Sequence, residues 1–362
     1  MSRSSVKKFI FNTPKILLMP AVGIDISDHS VKYAELIQTS RGYELGRFGD
    51  ITIPSGIVEG GKIVNPPKLA EVLNNLRVEQ NLSFVRSALP EEQVYFFRAR
   101  YPDGTNDVLR ETIELSLEDH VPIPAGDAVF DFEIVGRVGT DVDVSVTVAT
   151  HVTIESYSDV FRAAGLTLLS LELEASAIAR SVISSDDTGA HLIVDFGEAR
   201  TGVAIVCNGQ VYVTSTVSVG GQMLTETVAR HMGISQTEAE SLKREFGLQR
   251  NSAHEELFAI LLTNIAILRD EINKHLIYWH THPDESGNPR PEITKIFLVG
   301  GDSNLPGLPE YMSTSLKIQA VVGDIWTNVN MPSRGIPQLP REASLGYGTS
   351  IGLALYNTEH EN

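Results

Sequence analysis

Apolar and polar positions follow the same order in two stretches of the chain that lie about half its length apart. In each stretch an apolar strand ends at an Asp, a short polar turn follows, and a second strand begins. The first copy covers residues 22–32 and carries Asp25, and the second covers residues 192–203 and carries Asp195. Such a repeat predicts two related half-domains that face each other.

Both copies continue into an alternating meander. The first passes through a hairpin turn at Arg41-Gly42 and the second through one at Asn208-Gly209. Asn-Gly is a strong hairpin signal because both residues accept a positive φ. After the first meander, Pro66-Pro67 opens a helix, since Pro is tolerated in the first helical turn.

A different region follows the first meander. Residues 106–115 are typical of an N-capped amphipathic helix, and residues 141–148 alternate over eight positions as a half-buried strand does. We expect residues 83 to about 168 to form a small α+β insert in the first half-domain.

The second half contains more helical signals. Ser235 and Glu238 match a capping box for a helix that ends at Gly247, and a longer helix is predicted from Asn251. Residues 343–355 are rich in small side chains and predict a helix that packs closely against another element. Small residues permit this because they let two backbones approach each other.

Composition and charge limit the function. The 362 residues carry a formal net charge of −17, which argues against nucleic-acid binding because such binding requires a basic surface. The first twenty residues differ, since their basic residues face no acidic one: Arg3, Lys7, Lys8 and Lys15. We expect a loose or docked tail there, and a weak contact with a membrane surface is the alternative.

The sequence also bears on the compartment. No uncharged apolar run reaches the roughly 18 residues that span a bilayer, and the N-terminus has no secretory signal pattern. The single cysteine, Cys207, excludes an internal disulfide. We expect a soluble cytoplasmic protein whose membrane association is indirect or peripheral.

The chemistry predicted from the repeat is phosphate binding. Small residues in a turn leave backbone N–H groups open to a phosphate, and an Asp beside a phosphate is favourable when a hydrated Mg²⁺ lies between them. A lone Asp at a strand end is more often a turn former. The pairing of Asp25 with Asp195 favours a clamp that holds a polyphosphate from two sides.

Three segments in this order, the two Asp turns and Gly300-Gly301, resemble the phosphate-1, phosphate-2 and adenosine motifs of the actin-like ATPase superfamily. Within this superfamily, the sequence most resembles the PilM family of type IV pilus assembly proteins. Shorter segments carry this narrower resemblance, and they occupy residues 58–63, 120–124, 164–166, 219–225, 239–243 and 351–355.

The resemblance implies an α/β fold, the actin-like (ribonuclease H-like) two-domain ATPase fold with a small α+β insert in the first domain. It divides the chain into a basic tail over residues 1–20, a first domain over 21–189 and a second domain over 190–330. The final segment, 331–362, is expected to pack back on the first domain.

The resemblance further implies ATP (or ADP) and Mg²⁺ in the cleft. Asp25 and Asp195 are expected to orient Mg²⁺ and its waters, and Glu174 aligns with the linker acid that positions the attacking water. The other residues expected at the nucleotide are phosphate-loop residues, ribose or adenine contacts and the adenosine glycines: Ser27, Asp28, His29, Ser30, Lys32, Gly197, Arg200, Thr201, Gly220, Gly221, Glu240, Lys243, Gly300 and Gly301.

Several of these assignments have an alternative. Strand alternation can point Lys32 to solvent, and Glu174 is also favourable as a helix N-terminal acid through the helix dipole alone. Glu240 and Lys243, three apart on one helix face, are equally well explained as an exposed ion pair.

One departure from the family pattern concerns the first turn. The family usually has Gly at the position of Ser27, and Asp28-His29 replaces a run of small residues. A bulkier and more acidic turn is expected to weaken ATP affinity or rate. We therefore expect nucleotide binding with at most weak ATPase activity.

The function that the resemblance implies is that of a cytoplasmic scaffold at the inner face of the cytoplasmic membrane. It is expected to bind the N-terminal peptide of PilN and to contact motor and platform proteins of the pilus, with self-association left open. The alternatives are an FtsA-like, filament-forming cell-division protein and a sugar-kinase-like phosphotransferase.

Overall fold

Fifteen strands and ten α-helices form the described part of the protein, which in this computed structural model comprises residues 21–39, 42–250, 252–284, 287–329 and 339–359. The strands are β1 (Val22–Ile26), β2 (Ser30–Thr39), β3 (Gly42–Thr52), β4 (Val58–Glu59), β5 (Lys62–Ile63), β6 (Phe84–Leu89), β7 (Val94–Pro102), β8 (Ala128–Val138), β9 (Asp141–Thr150), β10 (Thr167–Leu173), β11 (Ala190–Phe196), β12 (Thr201–Cys207), β13 (Gln210–Val217), β14 (Ile293–Val299) and β15 (Gln319–Val322). The helices are α1 (Pro66–Gln80), α2 (Asn106–His120), α3 (His151–Ala163), α4 (Glu174–Val182), α5 (Gly221–Met232), α6 (Gln236–Phe246), α7 (Glu255–Thr281), α8 (Leu308–Leu316), α9 (Arg341–Ser344) and α10 (Gly348–Glu359). The predicted basic tail and part of the Arg41-Gly42 turn lie outside the described residues.

Two five-stranded sheets with the same strand order form the framework. The first runs β10-β6-β1-β2-β3, and the second runs β15-β14-β11-β12-β13. In each sheet the first three strands are parallel to one another and the last two add an antiparallel meander. The repeated halves predicted from the two Asp turns are confirmed, because β1 and β11 occupy the same place in their sheets.

The insert is shorter than predicted. β7, β9 and β8 form a separate three-stranded sheet that packs on α2 around a small core of its own. β6 and β10, which the predicted range of 83–168 includes, belong to the first main sheet. Comparison of the halves gives the reason: β6, α3 and β10 correspond to β14, α8 and β15, and the extra segment lies between β6 and α3.

Several local predictions are confirmed. α1 begins at Pro66, and Ser235 caps α6 by accepting a hydrogen bond from the Glu238 N–H at 3.2 Å. Asn208 and Gly209 have φ values of 53° and 72°, as a tight hairpin turn requires. The cap of α2 is Thr105 rather than Asn106, and α7 begins at Glu255, after the predicted start.

The two halves share one hydrophobic core. Buried residues of the first sheet and of α4 pack in one cluster with residues from one face of the second sheet, including Ile193, Ala204 and Phe297. The other face of the second sheet packs against α5 and α7 in a separate core. The shared core places the carboxyl ends of β1 and β11 on either side of one cleft.

Close helix packing joins the C-terminal segment to the first half. Residues 343–355 were predicted as one helix, and the structure instead has the end of α9, a 3-10 turn and α10. The predicted close approach is confirmed: a Cβ on Gly352 would overlap the Ala177 carbonyl of α4, and one on Gly23 of β1 would overlap the Ser350 carbonyl of α10. Burial of Ile351 and Leu355 completes the contact.

No helix in the part of the chain that the structure describes has the length and apolar character needed to cross a membrane.

We expect Gly352→Ala to destabilise the protein by about 3 kcal/mol. The added methyl group meets the rigid backbone of α4, and overpacking of this kind costs more than the gain in helix propensity returns. Thermal and chemical unfolding measure the change. The control is Gly126→Ala, where an added Cβ meets no atom within 4 Å; equal stability of the two variants would contradict the packing argument.

Candidate functional site

A cleft of about 1230 Å³ lies between the two sheets. Turns that follow the carboxyl ends of parallel strands line it, as is usual for ligand sites in α/β proteins. Fourteen of the residues expected at the nucleotide lie in its lining: Asp25, Ser27, Asp28, His29, Ser30, Lys32, Glu174, Asp195, Gly197, Arg200, Glu240, Lys243, Gly300 and Gly301.

Asp25 and Asp195 occupy matching positions near the ends of β1 and β11. Asp25 pairs across the ladder with Lys32, and Asp195 pairs with Gly202. Gly300, with φ of 87°, lies so close to Asp195 that an added Cβ would be 2.5 Å from its Oδ1. Only glycine therefore leaves the Asp195 carboxylate in place.

Electrostatic repulsion and burial affect both Asp residues. Burial raises the pKa of Asp195 to about 7, and the charge of Asp25 adds to this effect. Burial also raises the pKa of Asp25, although Lys32 and Arg200 lower it. The floor of the cleft thus favours a counter-charge beyond that of the two basic side chains.

Glu174 is the first residue of α4 and faces the same cleft. Burial raises its pKa well above the ordinary value, and the nearby charges of Glu91 and Asp25 raise it further. Glu91 also accepts a hydrogen bond from the Ala175 N–H at 2.9 Å, so it caps α4 where Leu173 has no polar side chain to do so. Glu91 was not predicted from the sequence.

Lys32 lines the cleft, so the solvent-facing alternative is wrong. Its Nζ donates to Ser30 Oγ at 2.7 Å and lies 3.8 Å from the Asp50 carboxylate. An added Cβ on Gly346 would lie 3.3 Å from Lys32 Cε, which shows how closely the lysine stem passes the turn before α10.

The first Asp turn uses some of its donors internally. The Ser27 N–H donates to the Ser30 carbonyl at 2.9 Å, and the Ser30 N–H donates to Ser27 Oγ at 3.1 Å. Donation of these two backbone N–H groups to a phosphate, as predicted, is therefore inconsistent with this turn geometry. The backbone N–H groups of Asp28 and His29, between them, are the remaining candidates.

Asp28 and Arg200 connect the two halves across the cleft. Arg200 Nη1 lies 3.2 Å from Asp28 Oδ1, and Arg200 Nε lies 2.5 Å from Glu92 Oε1. The Asp28 carboxylate also accepts hydrogen bonds from the Gly60 and Gly61 N–H groups, each at 3.0 Å. Although burial opposes it, the surrounding carboxylates hold the pKa of Arg200 above its ordinary value.

Three predicted residues do not line the cleft. Thr201 is fully buried and its hydroxyl donates to the Val219 carbonyl at 2.6 Å. The Gly221 N–H donates to the Gly197 carbonyl at 3.0 Å, and a Cβ on Gly220 would overlap Glu198. These residues hold α5 against the second Asp turn, and their glycines are required by close packing.

The second turn also closes on itself. The Gly197 N–H donates to the Arg200 carbonyl at 3.0 Å, which removes it from the predicted phosphate donors. Glu198 and Ala199 form the exposed tip of this turn and line the cleft.

Lys243 is buried at the far end of the cleft, so the exposed-ion-pair alternative is wrong for it. Its Nζ lies 2.7 Å from Asp302 Oδ1 and 2.8 Å from Glu240 Oε2, and it donates to the Gly221 carbonyl at 3.0 Å. Burial raises the pKa of Asp302, and Lys243 opposes this. One cation therefore ties α5, α6 and the turn after β14 together beside Gly301, where an added Cβ would meet open space.

Several acidic residues at the site were not predicted from the sequence, and three of them contact residues described above. Glu91, which caps α4, and Glu92, which contacts Arg200, follow β6, and Asp302, which contacts Lys243, follows Gly301. The signal for the first two was available, because Leu89-Pro90 ends a buried strand and carboxyl-terminal strand ends meet at one edge of a parallel sheet. Because the predicted insert began at residue 83, β6 was assigned to the insert and its carboxyl end was not placed beside the cleft.

Within the described residues, no three Asp, Glu, His or Cys side chains converge as direct ligands of one metal ion. A divalent cation at Asp25 and Asp195 would therefore complete its coordination with water and ligand oxygens, as Mg²⁺ commonly does.

Comparisons with solved structures identify the fold. The chain is similar to the PilM-PilN type IV pilus biogenesis complex, with a TM-score of 0.77, 21% identity and coverage of 93% of this chain and 98% of that one. It also resembles EutJ of Carboxydothermus hydrogenoformans (TM-score 0.56, 18% identity, coverage 97% and 93%) and ADP-bound MreB5 of Spiroplasma citri (0.56, 14%, 94% and 97%). The predicted actin-like fold is confirmed.

Sequence comparison identifies the family. Over 152 residues the chain is 29% identical to the ethanolamine utilization protein EutJ of Escherichia coli (strain K12), a match that covers 42% of this chain and spans about half, 46%, of that relative. The sequence model of the type IV pilus assembly protein PilM family matches residues 23–358. The chain therefore belongs to the type IV pilus assembly protein PilM family.

Proposed function

We propose that this protein is an ATP-binding scaffold of the type IV pilus assembly platform, located at the inner face of the cytoplasmic membrane. The observation that carries the nucleotide assignment is that Asp25, Asp195 and Glu174 line one cleft: the two Asp residues lie near the ends of the matching strands β1 and β11, and Glu174 begins α4 directly after β10. The family match over residues 23–358 favours the pilus role over the cell-division and sugar-kinase alternatives.

Mg²⁺ fits the donor set of this cleft. Carboxylate oxygens are preferred ligands of Mg²⁺, and burial raises the pKa values of Asp25 and Asp195, so a cation between them would favour their ionised forms. When bound, the cation neutralises charge on the phosphates. Asp25 and Asp195 would hold it, and Lys32 and the turn tips at Asp28-His29 and Glu198-Ala199 line the part of the cleft that would take the phosphates.

The surroundings of Glu174 support slow turnover. A general base must be ionised to accept a proton, and the raised pKa of Glu174 favours its neutral form. Arg200, the cation that could stabilise developing charge on a phosphate, already lies against Asp28 and Glu92. ATP therefore serves mainly to hold the two halves of the protein in one arrangement.

The adenosine side depends on the cluster around Lys243. Glu240 is ionised there: although burial opposes it, hydrogen bonds from Lys243, Thr225 and Arg244 lower the pKa of Glu240 to about 2. An ionised Glu240 is an acceptor for ribose hydroxyls, and the open space at Gly301 admits a flat base against the backbone.

The partner proposed for this scaffold is the N-terminal peptide of PilN. The support is the family match together with the likeness to the fold of the solved PilM-PilN complex. The first half and its insert are proposed as the peptide-binding part, with further contacts to motor and platform proteins.

We expect Asp25→Asn and Asp195→Asn each to weaken Mg-ATP binding by roughly 10- to 100-fold, because each removes a charge that orients the cation. Calorimetric titration at saturating Mg²⁺ measures the affinity. Stability without nucleotide should be kept, since the amide removes repulsion and preserves volume. The control is Asp119→Asn on the outer face of α2; wild-type affinity in both cleft variants would refute the nucleotide site.

We expect Glu240→Gln to lower the free energy of unfolding at pH 7 by about 1 kcal/mol, because its folded pKa lies below the unfolded value of 4.5 and solvent screening at this partly exposed group reduces the effect of the shift. A depressed pKa contributes stability above the unfolded pKa, and this contribution is lost as the pH falls from about 4.5 toward 2. Urea unfolding at pH 7, 4 and 3 should show the difference from wild type shrinking. Exposed Glu245→Gln is the control, and a pH-independent difference would contradict the ionised cluster.

We expect a synthetic peptide from the N-terminus of the PilN protein of the same genome to bind the purified chain with a Kd in roughly the micromolar range. Fluorescence anisotropy with and without Mg-ATP measures the binding, and a peptide of scrambled sequence is the control. Absence of specific binding in both conditions would count against the scaffold role.

A further inference from the structure

We propose that Asp28 and Glu92 set the nucleotide affinity of this cleft by holding Arg200, so that a bound polyphosphate must compete with two carboxylates for one guanidinium. This inference rests on the proposed nucleotide-binding function and adds the residues that limit its strength.

The geometry of Arg200 carries the inference. Its Nη1 and Nε contact different carboxylates, Asp28 at 3.2 Å and Glu92 at 2.5 Å. All three side chains are largely shielded from solvent, with exposed fractions of 18% for Arg200, 16% for Asp28 and 23% for Glu92. Screening by water and salt is weaker at such positions than at the surface.

Charge balance makes this arrangement unfavourable for a phosphate. One guanidinium faces two carboxylates, so the three ionised groups together carry a net charge of −1. A polyphosphate approaching Arg200 therefore meets negative charge where a free arginine would attract it. Neutralising either carboxylate removes one of the two ion pairs and lowers the cost of turning the guanidinium toward phosphate oxygens.

The two carboxylates belong to different parts of the first half. Asp28 lies in the turn between β1 and β2, and it also anchors the β4–β5 turn through the N–H groups of Gly60 and Gly61. Glu92 lies between β6 and β7, at the start of the insert. Gln93, the next residue, donates to the Gly60 carbonyl at 2.8 Å and links the two parts.

Arg200 therefore contacts the first Asp turn and the start of the insert directly, and it is linked to the β4–β5 turn through Asp28. If phosphate binding draws Arg200 away, the first Asp turn and Glu92 lose these ion pairs with the second half together. The cost of breaking these contacts is subtracted from the binding free energy of the nucleotide.

The test is calorimetric titration of Mg-ATP at pH 8 into wild type, Asp28→Asn, Glu92→Gln, Arg200→Gln and the double variant Asp28→Asn/Arg200→Gln. Asp28→Asn could weaken binding by disturbing the β4–β5 turn, which Asp28 anchors. Glu92→Gln removes the other carboxylate without altering that anchor, so it tests the same prediction independently. Glu59→Gln, an exposed residue of β4, is the control for a change of one net charge.

We expect Asp28→Asn and Glu92→Gln each to bind Mg-ATP about tenfold more tightly than wild type, a change of about 1.4 kcal/mol. In the Arg200→Gln background, Asp28→Asn should change the affinity by less than about twofold, because its effect passes through the guanidinium. Glu59→Gln should match wild type.

Other outcomes overturn the inference in distinguishable ways. Wild-type binding with unchanged or weaker affinity in both Asp28→Asn and Glu92→Gln refutes the inference and leaves the nucleotide site standing. A tenfold gain that persists without Arg200 shows that Asp28 repels phosphate directly, which refutes the role of Arg200. No binding by any variant or by wild type refutes the proposed function and this inference with it.

Discussion

Like charges assembled at the floor of the cleft are the constraint on which the site depends. Asp25, Asp195 and Glu174 come from three strand ends, and folding brings them together although burial disfavours each ionised form. The pKa of Asp195 is raised to about 7, so the folded protein holds a proton there that the unfolded chain releases. Stability from this group therefore falls as the pH rises from about 4 to 7. A divalent cation supplies the missing positive charge and removes the penalty.

Helix packing determines where those charges lie. α4 follows the last strand of the first sheet, carries Glu174 at its start, and packs against α10 through the close contact of Gly352 with Ala177. α4 also packs in the core that both sheets share. Because a single helix contacts both halves and carries a site residue, any change in the angle between the sheets shifts Glu174 relative to Asp195. This connection is how a bound nucleotide would govern the arrangement of the whole scaffold.

Local signals were predicted well from the sequence, and distant contacts were not. The Asp turns, the Asn208-Gly209 hairpin and the Ser235 cap depend on neighbouring residues, which is why their patterns are readable in the chain. The predicted limits of the insert were wrong because the sequence pattern of a buried strand such as β6 does not indicate which of two sheets it joins. The roles of Glu91 and Thr201 depend on partners far away, such as Ala175, 84 residues from Glu91. Backbone donors of the turns were misassigned because only the folded structure shows where each N–H is already satisfied.

The departure from the family pattern at Asp28 acquires a physical meaning from these contacts. A run of small residues would leave the first turn open to phosphate, whereas Asp28 gives the turn three partners: two backbone N–H groups and Arg200, which is 172 residues away. The same carboxylate that weakens attraction for phosphate thus joins the first half to the second. An enzyme under selection for rapid turnover gains from the open turn, because its arginine must reach the phosphate. A scaffold gains more from a turn that contacts the second half, because its task depends on the relative position of its halves.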